Sequence, residues 1–543
     1  MSNLLEKASI VLTPTAYSDG TLHSIKPIQT LGSELITNGG FDADSNWVKG
    51  TGWTISGGTA NQDGSNGILR QNNVTSTNTK VKVTFDLTNY GGSGNLQVKI
   101  APNIYALTLT GNGSYTVFTD GTNSTNGDVQ IITNSGFVGS IDNVSVKEVI
   151  DADFNFTRST TGSATGIGSR ENSSGNIESV AADLARIDYL GGTAHILLEP
   201  QSTNITQNSE QPATWHSSGN VTITANATTS PDGTTNSSLV VVNSSSGSIY
   251  TRARLVFSSG SGTQTVTASC FLKYYNNQWV RLKSAFFTGS PAQNERSFFD
   301  IQNGVLGTVS TNHTAKIEDY GNGWYRCSIT FDIDKDQDDN GYMQVEPMSG
   351  DNTNTYASIG QGFYGFGSQG EELSFMTSYI PTGSSSVTRS QDEANNSGST
   401  DLINSTEGVL YAELSVLNTA STVRTISISD GSISNSVEII YLSSGSFGFR
   451  IRANNAVEYL QASALSDATQ FVKAAISYKS GDIKCFINGS EFNTDTTSFS
   501  FTNSLSELAF DRGNGQNDFQ GKVKCVAVFK EALTDAQLTA LTT

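Results

Sequence analysis

Lys80-Val-Lys-Val-Thr-Phe-Asp-Leu87 puts Val81, Val83, Phe85 and Leu87 on one side of an extended chain, and Lys80, Lys82, Thr84 and Asp86 on the other. Alternation over eight residues is the period of a half-buried β-strand, because successive side chains point to opposite faces. Asn95-Leu-Gln-Val-Lys-Ile100 and Asn143-Val-Ser-Val-Lys147 repeat the pattern. Helical periodicity is nearly absent. Its clearest instance is Leu533-Thr-Asp-Ala-Gln-Leu-Thr-Ala-Leu541, where Thr534 or Asp535 would cap and Leu538 and Leu541 share a face. Many short strands between turn signals predict an all-β chain of tandem jelly-roll or β-sandwich domains.

The composition agrees. Only 15% of the 543 residues are charged, and Ser, Thr, Asn and 53 Gly fill the deficit. Such chains can be disordered. Here 26 Phe and 18 Tyr recur with Val and Ile in short runs, enough apolar material for several cores. With 31 Lys+Arg against 50 Asp+Glu the formal charge is -19, which argues against nucleic acid and anionic membranes as partners. The acidity itself requires no partner; it keeps a large protein soluble. Met1 to Ile10 lacks the basic start and apolar run of a signal peptide, and no stretch approaches the ~20 apolar residues of a membrane helix. The expectation is a protein made in a cytoplasm. Cys270, Cys327, Cys485 and Cys525 lie in strand-like runs and have no metal-knuckle spacing. They read as buried reduced thiols, with one bridge in each of the last two modules as the alternative.

Five parts follow from the patterning: an N-terminal segment 1–33, a first sandwich 34–149, an irregular connector 150–205, a second, larger sandwich 206–392 and a third 393–543. The first contains Asn38-Gly-Gly-Phe41, Trp47 and Trp53, and closes on Ile141-Asp-Asn-Val-Ser-Val146. These blocks resemble the carbohydrate-binding jelly rolls attached to glycoside hydrolases and common in phage fibres. The resemblance implies that Asp142 is the late Asp that often holds a structural calcium.

The connector carries Phe154-Asn-Phe-Thr-Arg158, Gly175-Asn-Ile-Glu178 and Leu197-Leu-Glu-Pro-Gln-Ser-Thr-Asn204. Further on come Tyr364-Gly-Phe-Gly-Ser-Gln-Gly-Glu371, Thr377-Ser-Tyr-Ile-Pro-Thr382 and Val387-Thr-Arg389. Ordered and spaced in this way, these blocks resemble recurring stretches of phage structural proteins. The opening Ala8-Ser-Ile-Val-Leu-Thr-Pro-Thr-Ala-Tyr17 resembles a start shared by such proteins and would be the part that docks onto the particle. Residues 408–543 resemble the laminin G-like, concanavalin-type jelly roll. Its blocks include Gly408-Val-Leu-Tyr-Ala-Glu413, Ile483-Lys-Cys-Phe-Ile-Asn-Gly489 and Gly521-Lys-Val-Lys-Cys-Val-Ala-Val528. Asn488-Gly489 is independently a strong two-residue hairpin signal, and Gly521 would let the closing strand turn tightly.

A catalytic constellation is not legible. The four histidines His23, His195, His216 and His313 fall in no metalloprotease or nucleophile-elbow motif, and no acidic residue sits among aromatics as a sugar cleft would require. The protein is expected not to be an enzyme and to need no cofactor. Calcium is the alternative, at Asp142 or in the run Asp332-Ile-Asp-Lys-Asp-Gln-Asp338, where Asp332, Asp334, Asp336 and Asp338 supply hard oxygen ligands within one short loop. The competing reading of that run is a solvated hairpin loop joining strands 328–333 and 342–346. Trp47, Trp53 and Tyr90 are candidate platforms for sugar rings, with core packing the equal alternative for the two tryptophans. Trp279, Trp324 and Tyr325 read as core. In the third sandwich Asp511, Asn514 and Asn517 lie where rim loops of such folds make ligand contacts.

Together these readings describe a structural protein of a phage virion, a fibre or spike on the particle surface. It would dock other virion proteins through residues 1–33, trimerise as such fibres usually do, and present lectin-like modules to host glycans. A capsid decoration or cement protein is the first alternative; a secreted bacterial lectin or glycan-active enzyme is the second.

Overall fold

The computed structural model describes residues 4–76, 79–91, 93–100, 103–107, 109, 111–119, 127–159, 164–289, 294–418 and 422–543. Nearly all regular structure is antiparallel strand, and the fold is a set of tandem β-sandwiches. The chain forms two compact units: Lys26–Asp151, and Met1–Ile25 together with Ala152–Thr543.

In the unit Lys26–Asp151, Val81–Thr88 pairs with Gly113–Phe118 and Val138–Ile150, and a second sheet carries Leu96–Ile100, Val129–Thr133 and Gly67–Gln71. Val81, Val83, Phe85 and Leu87 are all buried, facing Leu69, Val98 and Ile131 in one core. The opening and closing sequence blocks of this sandwich touch. Val144 donates its N–H to the Gly39 carbonyl at 2.9 Å, and a Cβ on Gly39 would lie 1.9 Å from the Val144 oxygen. Only glycine permits that approach. A β-bulge follows Asp142, with Asn143 at φ 53°.

The second unit holds two sandwiches. In the first of them, one sheet runs Ser217–Gly219, Tyr250–Val256, Asn340–Met348, Trp279–Ala285, Arg296–Asp300, Val305–Leu306. The opposing sheet runs Val221–Thr228, Ser237–Val242, Gly362–Glu371, Thr263–Tyr274, Trp324–Asp334, Thr314–Asp319. Trp324–Asp334 and Asn340–Met348 therefore belong to different sheets. The acidic run between them is a crossover, not the hairpin loop read from sequence.

The last sandwich packs a sheet built on Gly521–Phe529, Glu407–Val416 and Val472–Lys479 against one built on Ser446–Ala453, Ser436–Tyr441 and Arg424–Ser429. Asn488 and Gly489 both have positive φ, 48° and 79°, between the paired residues Ile487 and Ser490, which is the hairpin expected there. Gly521 serves a different purpose from the turn expected. Its φ is not positive, and a Cβ there would lie 2.2 Å from the Ser415 oxygen, so it allows close strand approach. Thr534 caps the helix Asp535–Thr542 in a reciprocal pair with Gln537, and Leu538 and Leu541 are buried.

Two segments that look peripheral in the sequence complete this sheet. Ile10–Leu12 pairs with Gly521–Phe529 in the register Ile10↔Val528, Val11↔Ala527, Leu12↔Val526, and all three side chains are buried. The connector is regular rather than irregular: Arg186–Asp188 and His195–Leu198 extend the same sheet, and Phe154–Thr157 pairs with Thr21–Leu22 and Glu393–Asn395.

The separated blocks of the connector and of residues 377–392 converge on a buried ionic network. Arg158 pairs with Asp392 at 2.8 Å and Arg389 with Glu199 at 2.7 Å. Arg186 bridges both carboxylates, reaching Glu199 at 2.6 Å and also Asp392, and Ser378 Oγ donates to Glu199 at 2.7 Å. All five charged side chains are buried. Charges removed from water are tolerated only when paired and hydrogen-bonded throughout. One ionic network therefore holds these separated blocks together. All four cysteines are free and buried, and Cys270 and Cys327 are direct cross-strand partners.

Candidate functional site

The tryptophans of the first sandwich are core, which corrects their reading as platforms. Trp47 is 6% exposed, packs tilted against Phe41 with ring centroids 5.3 Å apart and donates its Nε1–H to the Asn38 carbonyl at 3.0 Å. Trp53 is 4% exposed. Neither offers a ring to solvent. Tyr90 is half-buried against Phe137 at 5.8 Å.

The acidic run does not converge. Asp332 accepts from the Thr265 hydroxyl at 2.7 Å, Asp336 from the Gly262 N–H at 3.0 Å, and Asp334 caps the Asp336 N–H at 3.0 Å. Asp338 is buried under Thr288 and Gly289, accepting both N–H groups at 2.8 and 3.1 Å. Asp142 accepts the Asn143 N–H at 2.7 Å. Among the described residues no three of His, Cys, Asp and Glu come together as metal ligands. Asp334, Asp336, Asp338 and Asp142 instead satisfy backbone donors, as short carboxylates commonly do, and Asp332 a cross-strand hydroxyl.

At the rim of the last sandwich, buried Asp511 turns its carboxylate onto the N–H of Gly513. Asn517, at φ 60°, gives its carbonyl to the Thr425 N–H at 3.0 Å. These two build the loop, which leaves Asn514 as the exposed one of the three.

The richest exposed constellation lies on the second sandwich, on the outer face of the sheet containing Tyr250–Val256. In that strand Ala253 and Leu255 enter the core, so Tyr250, Arg252 and Arg254 point outward. Register carries the face across the sheet: Arg254 is opposite Tyr342, and Arg252 opposite Gln344, which is opposite Lys283, which is opposite Arg296. The Arg252 guanidinium lies 4.3 Å from the ring centroid of Tyr342, 5.0 Å from Phe286 and 5.1 Å from Tyr250. Its Nε–H donates to Ser217 Oγ at 2.7 Å. His216 adds a ring 5.0 Å from Tyr342. Burial, then Arg252 and Arg254, push its pKa below the usual histidine value, so it presents a neutral imidazole at pH 7. Phe286 is 60% exposed and has φ 68°, a conformation that bulky side chains rarely adopt.

The central strands of the opposing sheet are covered on their outer side. Phe271, Trp324, Phe366 and Tyr379 on its outer side form a second core with Ile177 of the connector. Trp324 is thus core, as the sequence suggests. His313 is also spoken for: its two ring nitrogens meet the hydroxyls of Ser284 and Ser297, each at 3.0 Å, and burial pushes it down to about 4.

Sequence reasoning missed the aromatic face. The signal was present in Tyr250-Thr-Arg-Ala-Arg-Leu-Val256 and Trp279-Val-Arg-Leu-Lys-Ser-Ala285, where cations alternate with core residues in an otherwise acidic chain.

Comparison with known proteins bears on the C-terminal module. Residues 411–539 match a family profile described as the concanavalin A-like lectin/glucanases superfamily. The C-terminal module is a laminin G/concanavalin A-like domain. The match begins inside Glu407–Val416 and ends inside the helix Asp535–Thr542. The strands Ile10–Leu12, Arg186–Asp188 and His195–Leu198 are thus additions to the sheet of the laminin G-like module from outside the matched stretch. No curated protein matches the chain. Similar solved structures include the CBM40 module of Ruminococcus gnavus IT-sialidase bound to α2,3-sialyllactose. It is 16% identical, covering 27% of this chain and 94% of that one, with a TM-score of 0.23. The tandem CBM22-1–CBM22-2 domain of Paenibacillus barcinonensis Xyn10C is 11% identical, covering 66% of this chain and 99% of that one, with a TM-score of 0.21.

Proposed function

We propose that the protein is a non-enzymatic structural component of a phage virion, a fibre or spike whose β-sandwiches bind host-surface glycans. The observation that carries the glycan reading is the Tyr250–Phe286–Tyr342 cluster around Arg252. Phe286, with half-buried Tyr250 and Tyr342 beside it, offers ring surface to the apolar faces of sugars, and exposed His216 and half-buried Ser217 suit sugar hydroxyls. The laminin G-like module adds a second fold of lectin type. Single glycan contacts of this kind are weak, and repetition over a particle would supply the avidity.

Docking to other virion proteins would fall to the N-terminal part of the chain, where Ile28 and Leu31 of the unit Lys26–Asp151 are 80% and 45% exposed. Ile10–Leu12 cannot serve directly, being buried in the laminin G-like sheet.

The glycan reading is tested by glycan-array binding of the purified chain and its Tyr342→Ala and Phe286→Ala variants. Retention of a glycan by the wild type, with at least a tenfold loss in each variant and unchanged melting, is expected. Wild-type binding that survives both substitutions would remove this face from the mechanism.

A further inference from the structure

We propose that the glycan bound by this face is anionic, carrying carboxylates on its sugar rings. This rests on the glycan-binding reading above and adds the charge of the ligand.

Cross-strand register sets Arg252, Lys283 and Arg296 in one row over four adjacent strands, with buried Gln344 at the position between Arg252 and Lys283. With strands about 4.8 Å apart the row is about 14 Å long, enough for several sugar rings. Arg254 lies one position along, beside Tyr342. Among the described residues, Arg252, Arg254, Lys283 and Arg296 form no ion pair. The carboxylates on the same face are engaged elsewhere. Glu346 pairs with Arg281 and accepts from Gln344 at 2.7 Å. Asp300 accepts from Gln278 at 2.7 Å and Asn303 at 2.8 Å.

Like charges directly opposite each other in a sheet destabilise it. Lys283 and Arg296 are such a pair, and the Lys283 pKa is depressed by burial first and then by Arg296 and Arg281, after a partial offset from Glu346. The chain has only 31 Lys+Arg, against 50 acidic residues that could have neutralised them. Four unpaired cations beside exposed rings amount to a standing repulsion that an anionic ligand would relieve.

Nucleic acid is the other polyanion to weigh. The saccharide is favoured because the chain's formal charge of -19 opposes a long, densely charged phosphate backbone more than a sparsely charged saccharide.

The test measures binding of the full chain, by affinity electrophoresis and calorimetry, to polygalacturonate, alginate and hyaluronate. Each polymer is paired with its carboxyl-reduced form, and single-stranded DNA is run alongside. At least one uronate polymer is expected to bind, with tenfold or greater loss on carboxyl reduction and a steep fall between 50 and 500 mM salt, because exposed charges are screened. Arg252→Gln should weaken that binding at least tenfold. Arg296→Gln, at the exposed end of the row where folding is not at stake, should weaken it several-fold. Equal binding of native and reduced polymers would overturn the charge inference and leave the glycan reading standing. Binding of neither form, together with an empty neutral-glycan array, would sink both. Uronate binding unaffected by either substitution, or DNA bound as tightly as uronate, would also overturn the inference.

Discussion

At the scale of single residues, burial decided between readings that composition left even. Trp47 and Trp53 carry the same chemistry as an exposed sugar platform, and only the tertiary fold turns them inward. Trp53→Ala is therefore expected to lower unfolding free energy by about 3–5 kcal/mol in denaturant titration, the usual cost of emptying an aromatic core site. A loss below about 1 kcal/mol would mean the ring is not packed as described. The acidic run shows the same lesson from the other side. Four aspartates within seven positions look like a cation loop, yet each is bent toward a different backbone or hydroxyl donor. Spacing along the chain cannot reveal which way each carboxylate turns.

At the scale of elements, the strands were legible and their partners were not. Alternation located Val81–Thr88, and Asn488-Gly489 located a hairpin, because both are local patterns. The strand Ile10–Leu12 pairs with residues more than 500 positions away, and the connector joins a sheet that begins two hundred residues later. Such pairings leave no local signature. Removing residues 1–12 withdraws three fully buried apolar side chains from the sheet, each worth about 1.5–3 kcal/mol of burial. Amide exchange at Val526–Val528 is expected to speed up markedly, while exchange in Val81–Thr88, in the separate unit, stays as it was. Unchanged exchange at Val526–Val528 would contradict the pairing. The aromatic face was missed for a related reason: each strand shows only two or three of its residues, and none of those fragments resembles a motif.

At the scale of the whole molecule, acidity shapes stability as well as solubility. Glu171 is pushed up to about 7 by burial and by Asp188 and Asp319. Glu507 rises to about 6 by burial beside Asp511, and Asp518 to about 6 by burial with Glu393 and Asp511. A carboxyl with a raised native pKa favours the folded state when protonated, and that stability is lost as pH climbs through the native value. Glu199 is opposite. Burial alone would raise it, but Arg389 and Arg186 hold it at about 2, so its contribution is full above the usual carboxylate range and lost as pH falls toward 2. His313, held at about 4, works the other way by costing stability below its usual value, but one imidazole is outweighed by three raised carboxyls, so the melting temperature is expected to be higher at pH 5 than at pH 8, with Glu171→Gln flattening the difference. A melting temperature that rises from pH 5 to pH 8 would contradict these assignments.

The central claim is that the outer face of the second sandwich is the glycan-binding surface. The most direct measurement is a structure of the chain soaked with an oligosaccharide that it retains, a short uronate being the first to try. The predicted result is sugar density stacked on Tyr342 and Phe286, with a carboxylate at Arg252. Density confined to the 511–517 rim or to the unit Lys26–Asp151, with the Tyr342 face bare, would contradict it.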